Sequence, residues 1–72
     1  MGIIEFYVDI YIGKSLTDRK RFMLPIMMAI LQCVDMCQQL SNEKNPIKAI
    51  FYCEGDSLEY KNKTYEKFES GE

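Results

Sequence analysis

The segment IIEFYVDIYI, residues 3–12, alternates apolar and polar side chains along its whole length. The apolar set is Ile4, Phe6, Val8, Ile10 and Ile12, and the polar set is Glu5, Tyr7, Asp9 and Tyr11. A period of two residues is typical of a β-strand with one buried side. The segment therefore predicts a long strand that gives one face to a core and presents tyrosines and acids on the other.

The residues after this strand fit a helix. Gly13 ends the strand, and Ser15 followed by Asp18 has the pattern of a helix N-cap with an acid three residues on. Because helical apolar spacing continues to Leu40, we predict a helix over 16–40. Pro25 lacks a backbone N–H and clashes with the preceding turn, so we expect a kink or a break at 21–24.

The second half of the chain predicts strands. After a polar loop at 41–46, the segment IKAIFYC at 47–53 has the composition of a strand, and 54–57 has that of a turn. A helix joins the two strands, so we expect them to be parallel. Residues 58–68 predict a hairpin with Lys61 and Asn62 at its tip.

These elements predict one α+β domain over residues 1–72 with the order β-α-β-β-β. One helix covers one face of a mixed four-stranded sheet, and residues 69–72 form a frayed tail. A chain of 72 residues is near the lower limit for folding on hydrophobic burial alone. Chains of this length are often stabilised further by a partner subunit.

The location is predicted from cysteine usage and hydropathy. Three cysteines are an odd number, and no leader-like segment precedes the first strand, so we expect unpaired thiols in a reducing compartment. The longest apolar run, 22–31, is about half of what crosses a bilayer. We therefore expect a cytoplasmic protein without a membrane partner, in the host cell's cytoplasm if a phage encodes it.

The three thiols are interpreted as core side chains. On the predicted helix, Cys33 and Cys37 share a narrow apolar stripe with Ile26 and Ile30, and Cys53 lies on the second predicted strand. A zinc site needs four ligands and the chain has no histidine, which also deprives a Ser or Cys nucleophile of its usual base. We therefore expect no metal, no cofactor and no catalytic residue.

A second apolar stripe lies on the other side of the predicted helix, centred roughly 140° from the first. It comprises Leu24, Met27, Met28 and Leu31. A helix that covers one small sheet usually carries charge on that side. Either a curled sheet or a kink covers these residues, or they form a partner surface, for which methionine packs adaptably. We favour self-association as a homodimer.

Two further sets of residues are candidates for binding. Tyr7, Tyr11, Ile50 and Tyr52 lie on the predicted uncovered face of the sheet, and Lys14, Arg19, Lys20 and Arg21 form a basic cluster. Tyrosine is favoured in protein interfaces, so the first set is the candidate protein-binding site; alternatively these rings only cover sheet surface. The basic cluster is a candidate contact for phosphate or an acidic partner. Glu5 and Asp9 oppose phosphate on the tyrosine face, so a nucleic-acid-associated module is the second choice.

The layout also resembles a known family. A strand, the turn Gly13-Lys14-Ser15, a helix, a parallel strand and a hairpin resemble the small tautomerase subunit over most of the chain, which implies a hexameric enzyme with an N-terminal proline as catalytic base. The sequence begins Met1-Gly2-Ile3, without that proline. No catalytic residue is carried over, and a tautomerase-like enzyme is the third alternative.

The expected function is therefore non-enzymatic protein binding. A small Lys- and Ile-rich chain with unpaired cysteines is typical of phage or mobile-element accessory proteins. Inhibitors of host defence, including anti-CRISPR proteins, are a natural class among them. Such an inhibitor would act by occluding a surface of its partner.

Overall fold

The computed structural model describes residues 2–71. Its elements are β1 (Ile3–Ile12), β2 (Ser15–Pro25), α1 (Ile26–Ser41), β3 (Ile47–Cys53), β4 (Asp56–Lys61) and α2 (Lys63–Ser70). The predicted α+β class is confirmed, with α1 on one face of a four-stranded sheet. The predicted element order is wrong, because the order is β-β-α-β-β-α. The expected mixed sheet is also wrong, since the strand order is β2-β1-β3-β4 and each neighbouring pair is antiparallel.

The largest correction concerns residues 15–25, which form a strand instead of the first half of a helix. Gly13, with φ of +59°, starts a two-residue turn that pairs Ile12 with Ser15. Glycine takes this left-handed conformation without strain, and such turns suit the twist of a hairpin. The kink or break expected before Pro25 does not occur within a helix, because Pro25 ends β2 and is the N-cap of α1. The likeness to the tautomerase subunit rested on a helix between parallel strands, and this arrangement is absent from residues 2–71.

The second hairpin joins β3 to β4 through Glu54 and Gly55. Both residues have positive φ, +49° and +85°, the combination that a tight type I′ hairpin turn requires. The predicted strand at 47–53 is confirmed, and the predicted turn at 54–57 is confirmed in its first two residues. Residues 58–61 belong to β4 and 63–70 to α2, so the hairpin predicted at 58–68 is wrong.

The core lies between α1 and the sheet face formed by alternate residues of the strands. Its buried members are Phe6, Val8, Ala29, Met36, Ala49 and Phe51. The three cysteines are half-buried, unpaired and packed against this cluster, in agreement with their interpretation as core side chains. Ile26 and Ile30, placed in the same stripe by the sequence, are exposed because the helix turns Ala29 and Met36 toward the sheet instead.

Asn62 joins the C-terminal elements to one another. This buried side chain accepts hydrogen bonds from the backbone N–H of Ile47 at 3.1 Å and of Tyr65 at 2.8 Å. Its amide donates to the carbonyl oxygens of Asn45 at 2.9 Å and Leu40 at 3.3 Å. One side chain therefore caps α2 and ties it to the end of α1 and the start of β3. Of the expected frayed tail, residues 69–70 belong to α2 and Glu72 lies outside the described residues.

Candidate protein-binding face

The sheet face opposite α1 carries the candidate site, and we call it the open face. Its members from β1 and β3 are Glu5, Tyr7, Asp9, Tyr11, Ile50 and Tyr52, and β2 contributes Arg19 and Arg21. These residues share a face because partners across an antiparallel ladder point to the same side and alternate along each strand. The sheet therefore brings together the four residues that the sequence predicted for partner binding, along with two arginines.

The centre of the open face is an ion pair between Asp9 and Arg19. Arg19 donates to Asp9 through two parallel hydrogen bonds, Nε to Oδ1 at 2.6 Å and Nη2 to Oδ2 at 2.8 Å. Asp9 is only 2% exposed, whereas the Arg19 side chain is 64% exposed. These hydrogen bonds hold the pKa of the Asp9 carboxyl below its ordinary value. The buried carboxylate thus fixes a guanidinium whose outer edge stays accessible to a partner.

A second ion pair lies beside the first. The Arg21 guanidinium donates to Glu5, and the Tyr7 hydroxyl donates to Glu5 Oε1 at 3.0 Å. The hydrogen bonds from Arg21, followed by the one from Tyr7, lower the pKa of the Glu5 carboxyl. Both exposed arginines of the face are therefore matched by carboxylates, and the Tyr7 ring is held by its hydroxyl.

Two tyrosines lie beside Arg19 on the open face. Tyr7, Arg19 and Tyr52 line a surface depression of about 440 Å³. A second depression of about 550 Å³ adjoins it at the Glu54-Gly55 turn and shares both tyrosines. Tyr7 and Tyr52 are exposed, so their rings can pack against a partner while Arg19 donates hydrogen bonds to it.

The other end of the open face is partly covered by α2. Lys48 Nζ lies 4.7 Å from the centre of the Tyr11 ring and 5.4 Å from that of Tyr65, which comes from α2 and is buried. Tyr11 and Ile50 are half-buried. The accessible part of the predicted site is therefore the Tyr7 and Tyr52 end. Sequence reasoning missed this cover because it assigned Tyr65 to a hairpin.

The predicted basic cluster does not form one patch. Residues 19–21 lie on a strand, so Arg19 and Arg21 point to the open face while Lys20 points to the opposite face, 4.0 Å from Asp18. Lys14 lies in the first hairpin turn. The prediction is wrong because it assumed a helix end, where neighbouring side chains can converge. Spacing alone does not predict the Asp9 and Arg19 pair, because a regular two-residue hairpin at Gly13 would place Asp9 opposite Asp18. A register irregularity between Ile10 and Tyr11 brings Arg19 opposite Asp9 instead.

Three of the four residues predicted for self-association are exposed, and self-association itself stays a prediction. Met27, Met28 and Leu31 are exposed on α1. Leu24 lies on β2, pairs with Ile4 and packs against the core, so its placement in the stripe is wrong. The cause is again the assignment of residues 16–25 to a helix.

The thiols of α1 pack against the apolar core. Burial raises the pKa of the Cys33 and Cys37 thiols, which disfavours the reactive thiolate. Within residues 2–71, no three His, Cys, Asp or Glu side chains are grouped so that they could hold a metal ion. Neither of the two described helices has the length and apolar character needed to cross a membrane.

Comparison with known proteins gives no relative. No protein-family model, curated protein sequence or solved structure matches this chain.

Proposed function

We propose that this chain is a non-enzymatic protein-binding module whose contact surface is the open face. The observation that carries the proposal is the Arg19 guanidinium, which the buried Asp9 carboxylate holds in a depression that it shares with the exposed Tyr7 and Tyr52 rings. Arginine and tyrosine are among the residue types that dominate binding energy at protein interfaces. The proposed mechanism is occlusion, in which this face covers a surface that the partner needs.

The fixed position of Arg19 favours binding. A free arginine side chain loses rotational freedom when a partner immobilises it, and this loss weakens binding. Here the two hydrogen bonds to Asp9 already restrict the side chain before any partner arrives. Asp9 also balances the charge of Arg19, so the face suits a mixed polar and apolar protein surface better than a row of phosphates.

Because the arginines of the open face are paired with carboxylates, a nucleic-acid partner is the second choice. A surface that follows a phosphate backbone needs cations that are not already neutralised on the same face. Arg19 and Arg21 are each bonded to a carboxylate, and Lys20 points to the other side of the sheet. Lys48 lies over the Tyr11 and Tyr65 rings, at the end of the open face that α2 partly covers. A protein partner is therefore the proposal, and nucleic acid is an outcome of the test.

We further propose that the partner is a defence protein of a bacterial host, and that the chain acts as an anti-CRISPR-like inhibitor in the host cytoplasm. A 72-residue chain without histidine, with one face that combines aromatic rings and a fixed guanidinium, suits occlusion better than turnover. The source in a phage or mobile element belongs to the same proposal.

The test is affinity capture with matched variants. Immobilised wild type, Tyr52→Ala, Arg19→Lys and Met28→Ala would be exposed to nuclease-treated bacterial lysate that contains a CRISPR nuclease. Met28→Ala is the control, because Met28 is an exposed apolar residue on α1, on the other side of the molecule. Calorimetry on a captured protein then measures each affinity.

We expect Tyr52→Ala and Arg19→Lys to weaken binding of the same protein roughly 30-fold or more, as loss of an interface hot spot does. Met28→Ala should bind as tightly as wild type. A protein captured equally by all four baits would contradict the proposed face. If material binds from a lysate without nuclease treatment and not from the treated lysate, the result would favour the nucleic-acid alternative.

A further inference from the structure

An apolar groove lies beside α1, on the sheet face that α1 covers only in part. Its volume is about 430 Å³ and almost all of its lining is apolar, contributed by Cys33, Val34, Cys37, Phe51, Leu58 and Tyr60. A helix is about 10 Å across and strands are about 4.8 Å apart, so one helix covers roughly two strands. α1 lies over β1 and β2, and the core beneath it also buries Ala49 and Phe51 of β3. The apolar side of the edge strand β4 remains open, and Leu58 is 70% exposed there.

The outer side of α1, beside this groove, carries an apolar ridge that is also uncovered, formed by Met27, Ile30 and Leu31. The first six residues of α1, IMMAIL, are all apolar, yet Ala29 alone among them is buried. Met27 and Leu31 are 64% and 65% exposed, and Ile30 is exposed as well. At about 100° per residue these three side chains lie within roughly 60° of Val34, which lines the groove. A helix segment that is apolar all round is typical of one buried on every side.

The whole chain exposes more surface than a monomer of its mass usually does. Its accessible surface is 5223 Å², against roughly 4,700 Å² expected for 8.5 kDa. Its radius of gyration is 12.9 Å, where a compact chain of this length has about 11 Å. The excess is roughly 500 Å² of total surface per copy. Two copies that each covered about this much surface would bury on the order of 1,000 Å², the size at which specific interfaces begin.

We propose that a second copy of this chain covers this surface, so that α1 of each copy lies in the groove of the other. No second helix covers the groove over β4 within the described residues, and the outer side of α1 has no partner there either. In a dimer with a two-fold axis, the ridge of each copy fills the groove of the other, so all four apolar surfaces are buried. A foreign protein would do the same only if it supplied a ridge and a groove of its own. The contact residues of the ridge and groove carry no charge, so no like charges meet at the centre.

The proposed dimer uses a surface separate from the open face. Tyr7, Arg19 and Tyr52 lie on the opposite side of the sheet from α1 and the groove. Each dimer therefore presents two open faces, one per copy, directed away from the contact. Binding of two partner molecules, or of two sites on one partner assembly, follows from this geometry.

The test is the mass in solution, measured by light scattering after size exclusion and by sedimentation up to several hundred micromolar. We expect wild type at twice the 8.5 kDa chain mass. Leu31→Glu in the ridge and Leu58→Glu in the groove should each weaken dimerisation at least 100-fold and run as folded monomers, checked by circular dichroism. Met28→Glu should stay dimeric, because by the same rotation Met28 lies roughly 120° from Val34.

A second measurement needs no substitution in the interface. In a mixture of isotope-labelled and unlabelled wild type, filtered nuclear Overhauser spectra should show contacts between Leu58 methyls of one copy and Ile30 methyls of the other. Wild type that remains at the monomer mass at several hundred micromolar would overturn the proposal. So would a dimer that survives both Leu31→Glu and Leu58→Glu. Because none of these variants touches the open face, either result leaves the capture experiment independent.

Discussion

Replacing Asn62 with alanine tests how α2 is attached to the rest of the fold. The Asn62 side chain makes four hydrogen bonds of 3.3 Å or shorter: it accepts from Ile47 and Tyr65 and donates to Leu40 and Asn45. Its amide also makes a longer contact, 3.5 Å, with the carbonyl oxygen of Glu43. Because the side chain is buried, water does not readily replace the hydrogen bonds that its partners lose. Asn62→Ala therefore removes the N-cap of α2 and leaves backbone groups of three other segments without their partner.

The expected cost follows from these contacts. Loss of an N-cap costs about 1 kcal/mol, and each of the three remaining hydrogen bonds contributes about 1 kcal/mol. The total of about 3–4 kcal/mol is large beside the roughly 4–11 kcal/mol expected for a 72-residue chain. At about 4–8 °C per kcal/mol, the melting temperature should fall by at least about 12 °C.

Urea and thermal unfolding followed by circular dichroism measure this effect. Asn45→Ala is the matched control, because Asn45 is exposed and contributes its backbone carbonyl, which the variant keeps. We expect this control to remain within about 0.5 kcal/mol of wild type. If Asn62→Ala costs less than about 1 kcal/mol, the reasoning that one side chain ties α1, β3 and α2 together is refuted.

Three further predictions concern the turns, the buried ion pair and the thiols. Glu54→Asn should raise the free energy of unfolding by about 0.5–1 kcal/mol in urea titrations, because Asn tolerates the φ of +49° and Asn-Gly suits a type I′ turn. The pKa of Asp9 is lowered in the fold, so its pairing stabilises the protein above about pH 4 and the gain is lost as the pH falls through the folded pKa. The melting temperature of Asp9→Asn should therefore vary less than that of wild type between about pH 5 and 2. Cys37→Ala should cost on the order of 1 kcal/mol and Cys37→Ser more, since serine places a hydroxyl against the core; equal unfolding midpoints for the two variants would contradict this packing.

Elements with a local signal were predictable from the sequence. The alternation at residues 3–12 identified β1 and both of its faces, and the apolar composition of 47–53 identified β3. Tyr7 and Tyr52 were placed on the correct face for the same reason. The period of two depends only on neighbouring residues, so no tertiary information was required.

Elements decided by distant partners were not predictable in the same way. Residues 15–25 carry a helix-like start at Ser15, and what makes them a strand is their pairing along the whole length of β1, including the Asp9 and Arg19 ion pair. Similarly, Asn62 resembles a turn residue until its bonds to Ile47 and Leu40 are known. The centre of the open face was missed because it depends on the first of these pairings.

Site-specific photo-crosslinking in host cells shows whether the open face contacts a protein partner around Arg19. A benzophenone amino acid would replace Tyr52 in one variant and Met28 in a second, with both side chains exposed but on opposite sides of the molecule. We expect irradiation to join the position-52 variant to one foreign protein, and the position-28 variant to give no such product. A foreign-protein adduct at position 28 with none at position 52, or an adduct at position 52 that consists of nucleic acid, would contradict the proposed binding face.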